Sequence, residues 1–174
     1  MKRKYSSSLT GGTGDVNPQY LKLSTTQSGA DTFTQTTNPI PIQRLPNGQR
    51  SQVMEILKIF FWTNSALVEA DSTVSVYLTT KSYSTAPAVT DGALIAWWKR
   101  QVIITTSGEV AIDSPFCLDL TDGVGHGMLV ATDNLYLSVA SSTTSQANVG
   151  VAWILYRWKN VGLAEYVGMV QSQQ

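Results

Sequence analysis

The chain has 174 residues, and its twelve basic and twelve acidic side chains cancel at neutral pH. Only 14% of the residues are charged, against about 25% in an ordinary soluble domain. A neutral chain lacks the broad basic field of a free nucleic-acid-binding domain, and this length can bury a core without disulfides or metal staples. One cysteine, Cys117, and one histidine, His126, exclude an internal disulfide and a Cys/His zinc site.

Neither a membrane span nor a secretory signal is visible in the sequence. No stretch approaches the roughly 18 consecutive apolar residues that cross a bilayer. The N-terminal segment MKRKYSSSLTGG lacks the apolar core of a signal peptide. We therefore expect a soluble protein with no membrane partner, made in the reducing interior of a cell.

Serine and threonine, about a fifth of the chain, take the place of the missing charges. Threonine is β-branched and fits a pleated sheet, so the composition favours strands. Few charges also suit a surface that is buried against other copies, because desolvating a charge is costly. The composition fits equally well a simple β-rich domain with a neutral surface.

Residues 1–17 have the composition of a disordered arm. Lys2, Arg3 and Lys4 are followed by three serines and by glycines, and nothing there can bury a core. The Gly11–Gly12–Thr13–Gly14 run is interpreted as a linker, because no GK[ST] sequence follows it. Residues 18–174 show no internal repeat and no second core, so we predict one domain.

From Tyr20 onward the apolar residues alternate, and turn signals recur about every ten residues. Extended segments are predicted at 20–24 and 31–37. The apolar run 53–62 (VMEILKIFFW) is predicted to be a strand covered on both faces, because it is rich in β-branched and aromatic residues.

The second half of the chain continues the same pattern. Residues 73–79 predict a half-buried strand with Val74, Val76 and Leu78 inward, and 93–104 predict a strand that returns through Val110 and Ile112 as a hairpin. Two further strands are predicted at 134–140, with Leu135, Leu137 and Val139 inward, and at 147–158, with Val149, Val151, Trp153 and Leu155 on one face. The segment 162–170 fits a short helix or a last strand.

About eight strands without a long helix or βαβ alternation indicate an antiparallel sandwich or barrel. Eight strands fit a jelly roll especially well. The predicted fold class is therefore all-β, a single eight-stranded jelly roll preceded by a short, disordered, basic N-terminal arm.

The segment 119–127 (DLTDGVGHG) is the place where an enzyme hypothesis would start, since it gathers Asp119, Asp122 and His126. A catalytic triad needs a nucleophile as well, and a metal site needs more ligands. No G-x-S-x-G elbow is present, and alternating glycines are typical of a flexible loop. We therefore predict a solvated histidine in a loop and expect no enzyme activity, metal or cofactor.

Three further features have a structural and a functional interpretation. Cys117 fits a small buried hydrophobe better than a reactive thiol. The five tryptophans fit core or subunit-interface anchors, and alternatively a platform for stacking on bases or sugars. The basic pairs Lys99–Arg100 and Arg157/Lys159 lie next to aromatics and would suit nucleic-acid contacts if they faced the same way.

Several segments together resemble capsid proteins of small circular single-stranded DNA viruses that encode a replication-initiator protein. They are the basic arm with GGTGDVNPQ (11–19), VMEILKIFF (53–61), DLTDGVGHGMLVATDNLYLSVAS (119–141) and LYRWKNVGLAEYVGMVQSQQ (155–174). The segments that begin at 119 and 155 are the more specific ones. The similarity runs over most of the chain.

The resemblance implies a jelly roll of two four-stranded sheets that self-assembles into a small icosahedral shell, most simply of sixty copies (T=1), around a circular single-stranded DNA genome. It implies a virion protein assembled inside the host cell, with the basic arm on the inner side. By their charge alone, Lys2, Arg3 and Lys4 fit DNA-binding residues that neutralise phosphates, a nuclear import signal, or groups that only raise solubility. Better-known relatives have long arginine-rich arms, so three charges are a departure. The loops 82–85 and 141–146 are candidates for contact with a host receptor.

Two rival functions remain open at this point. A carbohydrate-binding β-sandwich would use exposed Trp and Tyr for stacking and nearby Asp or Asn for hydroxyl groups. A hydrolase on a β scaffold would depend on His126. Particle size separates them, because a shell has megadalton mass and either rival is close to 19 kDa.

Overall fold

The computed structural model describes residues 18–40, 50–64, 71–105, 108–113 and 116–173. Within these ranges the chain forms ten strands and one helix. The strands are β1 (Gln19–Thr26), β2 (Phe33–Pro39), β3 (Arg50–Thr63), β4 (Ser72–Thr79), β5 (Leu94–Thr105), β6 (Gly108–Asp113), β7 (Cys117–Asp119), β8 (Met128–Val130), β9 (Asn134–Ser142) and β10 (Val149–Gly162), and helix α1 is Leu163–Ser172. The predicted arm, with Lys2, Arg3 and Lys4, lies outside the described residues.

The strands form two antiparallel sheets with jelly-roll connectivity. The first sheet has the order β1-β10-β3-β7, with β8 also paired to β3, and the second has the order β2-β9-β4-β5-β6. The chain passes from one sheet to the other six times: between β1 and β2, β2 and β3, β3 and β4, β6 and β7, β8 and β9, and β9 and β10. The predicted all-β jelly roll is confirmed.

Each sheet has five strands where four were expected. In the second sheet the predicted hairpin partner β6 adds the fifth strand. In the first sheet one edge position is shared by two short strands: β7 pairs with Lys58–Phe60 and β8 with Met54–Ile56. Leu57 separates the two, at the point where β10 also shifts register on β3. Both short strands were missed, because three residues are too few to show a period.

The hydrophobic core lies between the sheets, and β3 is its longest contributor. Val53 to Leu57 are all buried, so the prediction of a strand covered on both faces is right for this half. Beyond Lys58 only the alternate side chains, Ile59, Phe61 and Thr63, are buried, and Trp62 is exposed. The outer side of the first sheet therefore opens toward solvent halfway along β3.

The inward face of β10 is the opposite of its most apolar face. Ala152 and Ile154 are fully buried in the core, whereas Trp153 on the alternate face is 45% exposed. Small residues occupy the inside at the start of this strand: the Cβ of an alanine at Gly150 would lie 3.1 Å from Val76. Trp153 consequently faces outward, whereas Tyr156, beyond the register shift, is in the core and Trp158 packs against it.

The ambiguous C-terminal segment is the helix α1. Its residues Tyr166 and Met169 pack on a small cluster of Val53, Ala131 and Val161. The Gln173 side chain then accepts a hydrogen bond from Ala131 N (2.9 Å) and donates one to Leu129 O (2.7 Å). The Gln173 side-chain amide therefore pairs with the backbone at β8 as a neighbouring strand would, and it satisfies backbone groups that an open sheet edge would leave exposed.

Within the described ranges, no helix has the length and apolar character that crossing a membrane would need.

Candidate functional site: an aromatic sheet face

Five aromatic side chains collect on the outer side of the first sheet. We call them the aromatic face: Tyr20 on β1, Phe60 and Trp62 on β3, Trp153 on β10, and Phe116 just before β7. Tyr20, Trp62 and Phe116 are each about 60% exposed (61%, 58% and 64%). Together with Phe61 the five rings line an open groove of about 370 Å³.

Strand period and register bring these rings together. Residues two apart on a strand face the same way, which places Phe60 and Trp62 side by side. Trp153 pairs with Phe60 across the sheet, and Lys22 of β1 pairs with Trp153 from the other side. The Phe60 and Phe116 rings lie 6.4 Å apart between centroids. The groove is therefore built on rigid strands.

Charge around the aromatic face is sparse and mostly paired. Lys58 Nζ lies 2.9 Å from Asp119 Oδ2. Hydrogen bonds from Thr121 and then from Lys58 lower the pKa of Asp119 to about 2, so this pair is ionised at neutral pH. Lys22 Nζ lies 5.3 Å from the centre of the Trp153 ring, within cation–π range. The surface is apolar with neutral flanks.

The outer side of the second sheet is covered in part by its own chain. The segment 80–93, which joins β4 to β5, is fastened to β2, because Ser82 Oγ and Tyr83 N donate to Gln35 Oε1 at 2.8 and 3.0 Å. Ser75 and Ser138 on this side are buried. β4 is therefore more buried than the half-buried strand that was predicted, and among the described residues Trp97 is the one exposed aromatic side chain of the second sheet.

The tryptophans divide between the core and the surface. Trp98 is in the core, and Trp158 packs edge-on against Tyr156, with the centroids 5.6 Å apart. Trp62 and Trp153 share the aromatic face, while Trp97 is 37% exposed on the second sheet.

Cys117, predicted to be buried, is only half buried, beside Phe116 at the start of β7.

A buried carboxylate ties the glycine-rich loop to the first sheet. Glu55 is fully buried, and its Oε2 accepts a hydrogen bond from Arg157 Nε at 2.5 Å. Its Oε1 accepts one from Gly127 N at 2.9 Å and lies 3.9 Å from Lys159 Nζ. Arg157 Nη2 also donates to Gly125 O at 3.0 Å. The loop between β7 and β8 is therefore anchored from inside.

His126 lies on this loop, and its side chain is 60% exposed, as the sequence predicts. Its Nδ1 is 2.9 Å from Asp122 Oδ2, while Asp122 Oδ1 accepts the backbone N–H groups of Val124 and His126. These are the contacts of an Asx-type turn. Among the residues that the structure describes, no three His, Cys, Asp or Glu side chains are placed to hold a metal ion.

The basic pair on β10 does not form a surface for nucleic acid. Arg157 and Lys159 both point to Glu55, and their side chains are 22% and 37% exposed. A cation that neutralises a buried carboxylate is not available to a phosphate. The sequence required that this pair and Lys99–Arg100 face the same way, but Lys99 and Arg100 are on β5 of the second sheet, whereas Arg157 and Lys159 are on β10 of the first.

The loop 141–146, one candidate for receptor contact, is locked to the turn that joins β1 to β2. Gln27 exchanges hydrogen bonds with Ser141 Oγ at 2.9 and 3.1 Å, and Asp31 Oδ1 accepts from Thr144 N and Oγ1 at 2.8 and 3.0 Å. Asp31 and Thr143 have positive φ angles of 53° and 58°. Two loops at one end of the sandwich therefore form one unit.

Gly127 is a position at which the loop anchor can be tested. A Cβ atom there would lie 2.2 Å from Ile56 O, a backbone atom of β3 that cannot swing aside. We expect Gly127→Ala to lower the free energy of unfolding by about 1–3 kcal/mol, the usual cost of overpacking, as measured by urea unfolding. Gly168→Ala in α1, where nothing lies within 4 Å, is the control and should be neutral or stabilising. Equal effects of the two substitutions would show that the close approach does not matter.

No protein-family model matches the chain. No curated protein matches it either.

Solved structures do match over most of the chain. The VP1 of Trichodysplasia spinulosa-associated polyomavirus, in complex with sialylated precision glycooligomers, has a TM-score of 0.54 at 12% identity, and the match covers 86% of this chain and 97% of that chain. The VP1 of Merkel cell polyomavirus, in complex with 3'-sialyllactosamine, has a TM-score of 0.53 at 10% identity, with the same coverage. The chain is similar in fold to polyomavirus VP1.

VP1 from human polyomavirus 12, in complex with 3'-sialyllactosamine, is matched over its whole length at 9% identity and a TM-score of 0.50. At such identities the likeness to VP1 shows the jelly-roll fold alone. The glycans are ligands of those VP1 proteins, and no role of any residue in the aromatic face is inferred from them.

Proposed function

We propose that this chain is a viral capsid protein that self-assembles into an icosahedral shell, most simply of sixty copies, around a circular single-stranded DNA genome. The shell would be built inside the host cell and become the virion coat. The arm, residues 1–17, and the jelly-roll domain, 18–174, are its two parts in this proposal.

The aromatic face is the observation that carries the proposal. Monomeric proteins seldom expose a large contiguous apolar patch, and the buried centres of protein interfaces are rich in Trp, Tyr and Phe and poor in charge. The aromatic face has this composition, with Lys58 already paired to Asp119. The jelly-roll likeness to VP1, which is a capsid protein, supports the same conclusion.

Single-stranded DNA is a weaker fit to the aromatic face than another protein surface. Non-specific binders of single strands combine stacking rings with a positively charged groove that follows the phosphates. Here Lys22 lies over Trp153, but Lys58 is neutralised. We therefore assign the aromatic face to contact with a second copy, and DNA contact to Lys2, Arg3 and Lys4 of the arm.

Charge counting indicates that DNA is secondary in assembly. Sixty copies of a three-charge arm carry about 180 positive charges, whereas a genome of about a thousand nucleotides carries about a thousand phosphate charges. The arms alone cannot neutralise it. Protein contacts must then supply most of the free energy that closes the shell.

We expect the purified, nuclease-treated protein to form closed particles without DNA and to keep them in about 1 M salt, where electrostatic contacts are screened within about 3 Å. Electron microscopy and sedimentation velocity give the answer. Sixty copies of an 18.9 kDa chain make a particle of about 1.1 MDa. Particles that appear only after DNA is added, or that dissolve in salt, would contradict a protein-driven assembly.

The same measurement tests the capsid proposal against its rivals. If the protein stays near 18.9 kDa under all conditions, the shell is excluded, and a carbohydrate-binding module and a hydrolase are the remaining functions. His126→Ala separates these two, since only the hydrolase would lose an activity with this side chain.

A further inference from the structure

A polar pocket lies at the side of the sandwich that is closed by the C-terminal helix. It has a volume of about 320 Å³ and is lined by the start of the β4–β5 connection, the β8–β9 connection, Tyr136 of β9, and Tyr166 and Gln173 at the C-terminus. This volume is at the lower end of the range of about 300–1,000 Å³ for ligand pockets. A ligand of one or two rings would fit.

The lining offers more hydrogen-bonding capacity than the protein itself uses. Among the described residues, the side chains of Asp133, Asn134, Tyr136 and Tyr166 make no hydrogen bond to the rest of the chain. Gln173 is different, because its amide is fixed by Leu129 and Ala131. The pocket therefore has a fixed wall with free carboxylate, amide and phenol groups around it.

Two phenol rings with a carboxylate and an amide are a set that suits a sugar. A tyrosine presents an apolar ring face together with a polar edge, which matches a pyranose with its apolar C–H face and its hydroxyl rim. Asp133 and Asn134 supply acceptors and donors for hydroxyl groups. The aromatic face, by contrast, offers rings but few polar partners.

Charge in the pocket gives no net advantage to anionic ligands. Lys81 and Asp133 both line it, so the positive and the negative charge offset each other. A phosphate or a sialic acid carboxylate would gain from Lys81 and lose at Asp133. An uncharged saccharide gains hydrogen bonds from both residues.

We propose that this pocket binds a neutral saccharide of one or two rings. The site is separate from the aromatic face, and binding of the saccharide does not depend on shell assembly. In a capsid the saccharide would be an attachment ligand. The observation that carries it is the joint placement of Asp133, Asn134, Tyr136 and Tyr166 in one 320 Å³ pocket.

The experiment is saturation-transfer NMR and calorimetry with the full chain and a panel of neutral mono- and disaccharides, each disaccharide paired with its sialylated form, such as lactose and 3'-sialyllactose. Asp133→Asn and Tyr166→Phe change one hydrogen-bonding group each and keep the shape of the side chain. Tyr77→Phe, on a half-buried tyrosine of β4 outside the pocket, is the matched control. Thermal melting confirms that all three variants are folded.

We expect millimolar binding of at least one neutral member, at least tenfold weaker in Asp133→Asn and Tyr166→Phe and unchanged in Tyr77→Phe. Three results would overturn the proposal: no binding by any member, binding that both pocket variants leave intact, or tighter binding of a sialylated form than of its neutral parent. Particle size is measured on the same samples, so failure of this site and failure of the shell are seen separately.

Discussion

Replacing Arg157 by methionine is expected to lower the free energy of unfolding by about 3–5 kcal/mol, the usual cost of leaving a buried charge without its partner. Glu55 is fully buried, and Arg157 is its closest cation. Lys159 remains at 3.9 Å, but that distance is too long for a good hydrogen bond. Urea unfolding of the two proteins at neutral pH measures the difference.

The pH dependence of the stability loss in this variant is a sharper test than the magnitude of the loss. In the native protein burial alone would raise the pKa of Glu55, but the hydrogen bonds from Arg157 and Gly127 and the charges of Arg157 and Lys159 hold it below 4.5. Glu55 ionisation therefore stabilises the fold above about pH 4.5, and this contribution is lost as the pH falls through the lower, folded pKa.

Without Arg157 the balance reverses, because burial then dominates and the pKa of Glu55 rises above its unfolded value. The folded variant binds a proton that the unfolded chain releases, so its deficit is largest at neutral pH and shrinks as the pH falls toward 4.5. A deficit that is constant between pH 7 and pH 5 would show that lost packing, and not the uncompensated carboxylate, is responsible.

Lys58→Met is the matched control for Arg157→Met. It removes a cation from the same strand pair, but the Lys58 and Asp119 side chains are 41% and 50% exposed, and exposed ion pairs contribute little to stability. We expect the unfolding midpoint to stay nearly unchanged. A Glu55→Leu/Arg157→Met double variant removes both charges together and should recover much of the loss.

Much of the fold could be predicted because inward residues alternate along the strands. Leu135, Leu137 and Val139 on β9, and Val74, Val76 and Leu78 on β4, are buried as the pattern predicts. Alternation does not identify the inward face where both faces of a strand are apolar. On β10 the pattern puts Val149, Val151, Trp153 and Leu155 on one face without telling which face is inward, and in the structure Ala152 and Ile154 of the other face are in the core.

The candidate site depends on contacts that the sequence does not show. Glu55 and Arg157 are 102 residues apart, and the five rings of the aromatic face come from four separate segments. One signal was present: a lone glutamate inside the apolar run 53–62 is costly to bury unless a cation meets it. Which cation does so is decided by the β3–β10 register alone.

Replacing both Trp62 and Trp153 by serine is expected to abolish particle formation while the subunit stays folded. The two side chains are 58% and 45% exposed in the subunit, so their removal costs the fold little. Buried tryptophans at the centre of interfaces commonly contribute about 2 kcal/mol or more each. We expect sedimentation velocity to show a species near 18.9 kDa or a small oligomer, with an unchanged melting temperature.

Trp97→Ser is the matched control, because Trp97 is 37% exposed but lies on the second sheet, away from the aromatic face. It should leave the particles intact. Trp98→Ser, at a residue 5% exposed in the core, should instead unfold the subunit, which shows what loss of folding looks like in the same assay.

The contrast between these variants isolates the aromatic face from the general effect of losing a tryptophan. Because a closed shell repeats each contact in every subunit, even a modest loss per contact is multiplied over the particle and assembly fails cooperatively. A folded Trp62→Ser/Trp153→Ser protein that still forms full-size particles would place the subunit contacts elsewhere. An equal loss of particles in Trp97→Ser would show that the aromatic face has no special part in them.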